Sequence, residues 1–304
     1  MAWLRKYQIL ITTDSGTYWD VSDLHCTFNI QRSFNYPNYS EINVYNLTQA
    51  TEAAVIKEGQ TVQIYAGYED GNYGAIFSGT IFQCIRTREN VTDYKVTLWC
   101  IDGGPLLNGN FVSMSFPAGA SHREMFDNIA TTAYAKKQIN YVTENLTEQA
   151  LARGKVIFGE PIKYLRQVAQ FNNAQIFCEL GQINITKITE DVVNTGTITY
   201  TPTTGLIGTP EQVDFGVKFK VLLDPRLRIS YPTMLVKIDQ TVILAEKKKQ
   251  GDTPTQLDKD GLYQIIALDF IGDTRGNDWY TNITGVNHNG AQPLLSETAM
   301  QNPN

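Results

Sequence analysis

Histidine is nearly missing from this sequence, with only His25, His122 and His288 in 304 residues. No two of them stand at metal-ligand spacing. His25 and Cys26 are adjacent on a strand-like stretch, so their side chains would leave by opposite faces and cannot share a metal. Cysteine is scarce as well: Cys26, Cys84, Cys100 and Cys178 lie far apart, without a C-x-x-C pair. Their settings, such as "IFQCIR", "TLWCID" and "QIFCEL", are apolar, which predicts buried free thiols made in a reducing cytoplasm. Basic charge is not in excess. Lys and Arg number 25 against 31 Asp and Glu, a net charge of −6. A protein held on nucleic acid by phosphate contacts needs a basic stripe, and none is present. No apolar run reaches membrane-spanning length. The opening "MAWLRKYQILITTDSG" has an apolar run too brief for a signal sequence, with no cleavage site after it, and predicts a first strand from Tyr7 to Thr12.

Catalytic signatures are missing too. The chain has no G-x-S-x-G, no P-loop and no G-x-G-x-x-G at a strand-to-helix turn. The "DKDG" at 258–261 lacks the ligand ladder and closing Glu of a calcium loop, and reads as a hairpin turn. His122 falls in the first turn of a helix, as a surface residue. Glu124, Asp127 and Glu160 form the one carboxylate cluster worth testing for glycoside cleavage, which needs two carboxylates across a cleft. No catalytic, cofactor-binding or metal-binding residue is assigned, and no cofactor is expected.

What the sequence does have is alternation. From residue 1 to 104, "KYQILITT", "LHCTFNIQRS", "EINVYNL", "TVQIYAGY", "AIFSGTIFQCIRT" and "DYKVTLWCID" are rich in Ile, Val, Tyr, Thr and Phe. Turn clusters such as "YEDGNYG" and "RENVTD" separate them. One helical piece interrupts, "LTQATEAAVIK", with Thr48 as N-cap and Gly59 beyond its end. These features predict a first β-barrel or sandwich domain.

The pattern changes over 105–194, where an α+β insert domain is expected. "SHREMFDNIATTAYA" opens with Ser121 as N-cap and Glu124 three residues on, a capping box, and sets Met125, Phe126 and Ile129 on one face. "PIKYLRQVAQFNN" starts with a proline suited to a first helical turn and aligns Leu165, Val168 and Phe171. Two strands follow around Leu180-Gly181.

Strands return over 195–286: "GTITYTP", "GVKFKVLL", "TMLVKIDQTVIL", "GLYQIIALDFI" and "DWYTNITGV". Between the first two, a segment full of Thr, Gly and Pro reads as a turn-rich loop, and the strand after it ends at Asp224-Pro225. Lys247-Lys248-Lys249 read as a solvated hairpin loop. Residues 287–304 are polar and aperiodic, an extended C-terminal tail.

The two strand-rich ends share an order: a strand, a second strand, then a long hairpin with a charged turn. Asp93-Tyr94 and Asp278-Trp279 open the returning strand in each. The expected fold class is therefore mainly β with an α+β insert. Two related β-barrel domains, tube-like and in one chain, flank a small α+β domain.

The stretch "GLIGTPEQVDFGVKFKVLLDPRLRI" with "GLYQIIALDFIGDTRGNDWYTNITG" resembles the C-terminal half of baseplate hub proteins of contractile-tailed bacteriophages. "NYSEINVYNLT", "GQTVQIYAGYED" and "IFSGTIFQCIRT" resemble their N-terminal barrel. The resemblance implies a non-enzymatic structural protein of the virion baseplate, assembled in the host cytoplasm. It implies a homotrimer that joins a hexameric tail tube protein to a trimeric central spike protein and forms part of the DNA or effector conduit. Contacts with a tape measure protein and baseplate wedge proteins belong to the same picture, without stable sequence-specific nucleic acid binding. A duplicated unit on each chain would let a threefold object meet a sixfold ring. The competing reading is a tail protein that binds or cleaves peptidoglycan through the 105–194 domain. It would use exposed aromatics, for which Tyr134, Tyr141 and Tyr164 are the candidates. A third is a standalone carbohydrate-binding β protein.

Overall fold

A computed structural model describes residues 4–287, apart from 14–15, 34–37, 50–51, 54–56, 105–110, 135–138, 143–145, 147–149, 188–195, 214–215, 230–234, 240–244 and 247–260. The first strand-rich end folds as β1 (Arg5–Thr12), β2 (Tyr18–Asp20), β3 (Cys26–Ser33), β4 (Tyr39–Tyr45), β5 (Thr61–Tyr68), β6 (Tyr73–Arg88) and β7 (Tyr94–Ile101). Alternation drives these strands. Cys26, Phe28 and Ile30 of β3 point inward, and so does Arg32, which takes the next inward position.

The insert contains β8 (Val112–Phe116), α1 (His122–Ala133), β9 (Ile139–Val142), β10 (Lys155–Gly159), α2 (Pro161–Phe171), β11 (Ala174–Glu179) and β12 (Gln182–Lys187). Ser121 caps α1 as expected, its hydroxyl accepting the Glu124 N–H at 3.0 Å. Met125, Phe126 and Ile129 are buried, and they join Leu165 and Val168 of α2 in a hydrophobic cluster separate from the main core. Phe171, expected on that face, is exposed at the end of α2 and stacks on His122 instead. Three-residue steps drift around a 3.6-residue helix, so the third apolar residue turns off the stripe. Leu180 and Gly181, both at positive φ, make the tight turn between β11 and β12.

The second strand-rich end forms β13 (Ile198–Tyr200), β14 (Leu206–Val213), β15 (Gly216–Leu222), β16 (Leu235–Ile238), β17 (Ala245–Glu246), β18 (Leu262–Asp273) and β19 (Trp279–Asn287). The expected turn-rich loop is a turn over 202–205, but from Leu206 to Val213 it is a strand, β14. Its pairing with β15 is interrupted between Ile207 and Glu211, and Gly208 there takes φ of 69°. An irregularity of this kind accommodates Gly and Pro within a strand, which is why composition suggested a loop. In "LTQATEAAVIK" the described Gln49, Glu52 and Ala53 are helical, the Glu52 N–H donating to the Thr48 carbonyl at 2.9 Å. Residues 50–51 and 54–56 lie outside the described residues, as do the run Lys247-Lys248-Lys249, residues 258–260 of the "DKDG" turn and the tail with His288.

The strands of both ends join in one large, mostly antiparallel sheet of 14 strands. Its main path runs β17-β14-β15-β19-β18-β3-β4-β7-β6-β5-β1-β2, with β16 beside β18 and β13 beside β16. Among the described residues the path is open, so the hydrogen bonds do not close two separate barrels. The reason lies in β18. Its first half pairs with β16, and its second half gives the same edge to β3 of the other end.

The two ends nevertheless repeat. The first has the order β3-β4-β7-β6-β5, the second β14-β15-β19-β18-β16, and the outer neighbours differ, β1 running antiparallel to β5 and β13 parallel to β16. The register agrees as well. Tyr45 faces Lys95 as Leu222 faces Tyr280, and β6 skips Phe82 against β7 where β18 skips Ile266 against β19. The hairpins also close alike: the Glu89 N–H donates to the Asp93 carbonyl, and the Asp273 N–H to the Asp278 carbonyl.

Candidate assembly interface

The joint between the repeats is a run of strand pairing, Ala267 opposite Ser33 through Asp273 opposite Thr27. Gly272 lies beneath the Phe28 ring, where an added Cβ would fall 2.1 Å from a ring carbon. Trp279 meets Phe28 edge-on at 5.5 Å. Arg5 of β1 grips the hairpin from outside, donating to the carbonyls of Asp273 (2.9 Å), Gly276 (2.6 Å) and Asn277 (2.9 Å). His25 reaches the Asp273 carboxylate at 2.8 Å and stacks on Tyr45. Burial pushes the Asp273 carboxyl up, but the N–H groups of Arg275 and Gly276 and the His25 contact together hold it below its ordinary value. The segment after β15 also meets the first repeat: Pro225 packs near Gly74, and Arg228 donates to the Ala75 carbonyl at 3.2 Å. The strand end at Asp224-Pro225 is therefore part of the joint.

The insert docks on this joint through a buried polar junction. Arg32 has its guanidinium 5.0 Å over Phe270 of β18. It donates to the Glu179 carboxylate at 2.8 Å and to the carbonyl of Ile76 in β6. Beside it Asp102, at the end of β7, accepts the N–H groups of Leu180 (2.7 Å) and Gly181 (2.6 Å) at the β11–β12 turn. Asn38 donates to the Cys178 carbonyl at 2.6 Å. Burial lowers Arg32 to about 10, against the opposing pull of Glu179, and raises Asp102 to about 6, against the Gly181 and Leu180 N–H groups and Arg32. Phe177 of β11 adds its ring to the main core. One side chain, Arg32, thus touches both repeats and the insert. Sequence reasoning missed it, although an arginine at an inward position of β3 was a visible signal.

The carboxylates singled out from sequence have local tasks. Asp127 pairs with Arg123 at 3.0 Å on the exposed face of α1. Glu124 lies in the first turn of α1, where its backbone N–H completes the cap, and Glu160 is the N-cap of α2 without a side-chain hydrogen bond. His122 is buried against Asn172 and Phe171, and that burial, with Lys155 nearby, lowers its basicity. Of the candidate aromatics, Tyr134 is buried, and the Tyr164 hydroxyl bonds both backbone groups of Phe158. The exposed large apolar residues among the described part of the insert are others: Phe111, Val156, Phe158 and Phe171, with the rings of Phe111 and Phe158 edge-on at 4.7 Å. Among the described residues, no group of three or more His, Cys, Asp or Glu is placed to hold a metal ion. None of their helices is long and apolar enough to cross a membrane.

One edge in this arrangement lacks the partner that its counterpart has. The second half of β18 pairs with β19 and β3, whereas the second half of β6 pairs with β7 as its one strand neighbour among the described residues, and Arg86 on it meets the Glu52 carboxylate at 2.8 Å. Phe82 and Ile85, at 45% and 40% exposure, stand on this stretch.

Residues 24–237 match the sequence model of a family described as baseplate hub gp41. A comparison with curated proteins found no match. Solved structures share the fold. A tail protein from Neisseria meningitidis MC58 has a TM-score of 0.58 at 11% identity, covering 92% of this chain and 96% of that one. The 43 kDa tail protein of prophage MuSo2 from Shewanella oneidensis has a TM-score of 0.59 at 11% identity, covering 93% and 97%. The E. coli c3393 protein has a TM-score of 0.52 at 10% identity, covering 89% and 76%. It is described as a type VI secretion component similar to the T4 tail proteins gp27 and gp5.

Proposed function

The chain belongs to the baseplate hub gp41 family, a structural and not an enzymatic family of the phage virion tail, and from that premise we propose that it is the trimeric adaptor between tail tube and central spike. Three copies would set six related β units around an axis, matching a hexameric tail tube protein on one side. A trimeric spike protein would seat on the other, with the ring enclosing a conduit for DNA or effectors. Residues 1–104 and 195–286 would supply the two tube-like domains, each closing as a barrel in the assembled ring, and 105–194 would stand as a separate α+β domain. Assembly would take place in the host cytoplasm, where tape measure and baseplate wedge proteins are available as further contacts.

The observation that carries this reading is the repeat: two sets of five strands in one order, with a skipped residue at the same place in each long strand. A threefold body meets a sixfold ring without a symmetry mismatch only if each chain offers two equivalent surfaces. Native mass measurement and electron microscopy of the purified chain test it. Three copies with six similar lobes around a pore are expected; a monomer, or a dimer with twofold symmetry, would overturn the adaptor.

A further inference from the structure

We infer that the insert is a clip-on body that lifts off the sheet as one folded unit, releasing the β11–β12 hairpin while both hydrophobic cores stay intact. The inference is independent of the adaptor reading, since it concerns contacts within one chain.

The two cores are built from different residues and meet at one hairpin. β11 has a foot in each: Phe177 joins the main core, and the next residue, Cys178, joins the insert's own cluster. Alternation along a strand sends the two side chains to opposite sides. Among the described residues of the insert, Phe177 is the one that belongs to the main core. The contacts made by Arg32, Asn38 and Asp102 all end on residues 178–181. An added Cβ at Gly181 would lie 3.8 Å from the Ser78 hydroxyl, so the tip of the hairpin rests on β6.

A seam of this kind opens at less cost than a core. Lifting the hairpin returns Arg32, Glu179 and Asp102 to water, and the hydration regained offsets much of the attraction lost. Asp102 exchanges two backbone N–H groups for water, and Asn38 exchanges a carbonyl. Neither cluster is taken apart. β11 stays paired with β12, from Ala174 opposite Lys187 to Glu179 opposite Gln182. Opening the insert's own core would instead expose Met125, Phe126, Ile129 and Leu165, with the full loss of their apolar burial. The junction is therefore the weaker seam, and folded chains open first along such seams, in contiguous units.

Native-state hydrogen exchange on the full chain, read at rising denaturant below the unfolding transition, tests this. The Leu180 and Gly181 amides should exchange through an opening of lower free energy than Leu98 in β7 and Ile129 in α1. That opening should show a measurable denaturant slope, smaller than that of Leu98, because only the junction is exposed. A zero slope would mean that the turn frays by itself. A slope and free energy equal to those of Leu98 would mean one cooperative unit. Either result overturns the inference. Glu179→Ala leaves Arg32 unpaired unless the insert lifts, so it should speed Leu180 and Gly181 exchange by roughly a hundredfold or more. Leu98 and Ile129 should stay protected in that variant, and loss of protection at all four amides together would refute separate release. If the variant does not fold, the exchange pattern of the unaltered chain decides.

Discussion

The Arg32 guanidinium and the Glu179 carboxylate meet at 2.8 Å with both side chains almost wholly removed from solvent. One comes from the first repeat and the other from the insert, and Phe270 of the second repeat lies against the arginine. The pair therefore decides how the insert sits on the sheet.

Glu179→Ala should destabilise the protein strongly, by about 3–5 kcal/mol, because it leaves a buried cation without its partner. Arg32→Met alone should also cost stability, since it strips Glu179 of its cation. The double variant Arg32→Met with Glu179→Leu should recover much of the loss. Chemical denaturation of the four proteins gives the coupling. Additive losses would mean that the pair does not act as a unit.

Asp102 should give stability a pH dependence of unusual sign. Its carboxyl is raised to about 6 in the folded chain from an ordinary 3.8, mainly by burial. A carboxyl with a raised folded pKa contributes stability below the unfolded value, and that contribution is lost as pH rises through about 6. Between pH 7 and pH 4 the wild type should gain up to about 3 kcal/mol relative to Asp102→Asn, from two units at about 1.4 kcal/mol each. Denaturation midpoints of both proteins across that range measure the gap. A gap that stays constant would contradict the assignment.

Gly272→Ala should loosen the joint between repeats. The new methyl would collide with the Phe28 ring, which also holds Trp279. Overpacking of this kind costs about 1–3 kcal/mol. The expected readout is a lower denaturation midpoint with altered Trp279 fluorescence. A midpoint equal to wild type would show that the ring moves aside freely.

All four cysteines should titrate as thiols once the chain is denatured without reductant, since Cys26, Cys84, Cys100 and Cys178 are unpaired. Burial pushes the Cys26 and Cys178 thiols up to about 12 and Cys100 higher still, so these three should resist alkylation in the native protein. Half-buried Cys84 should react first. Rapid native labelling at Cys100 would mean that the core opens readily.

The sequence by itself determined most of the strands, the two insert helices and the shared hairpin order of the two ends. Alternation in β3 or β19 and the cap at Ser121 are local, so neighbouring residues suffice to specify them. It also carried the resemblance to baseplate hubs, because hairpin order is written along the chain. Tertiary structure decided the rest. It made β14 a strand despite Gly208 and Pro210, because β15 supplies the partner that holds an irregular strand in place. It joined β18 to β3, so that the repeats share one open sheet. It also gathered Arg32, Asp102 and Glu179 from distant parts of the chain. Burial makes such a cluster matter, and burial depends on which surfaces meet, which no local pattern encodes.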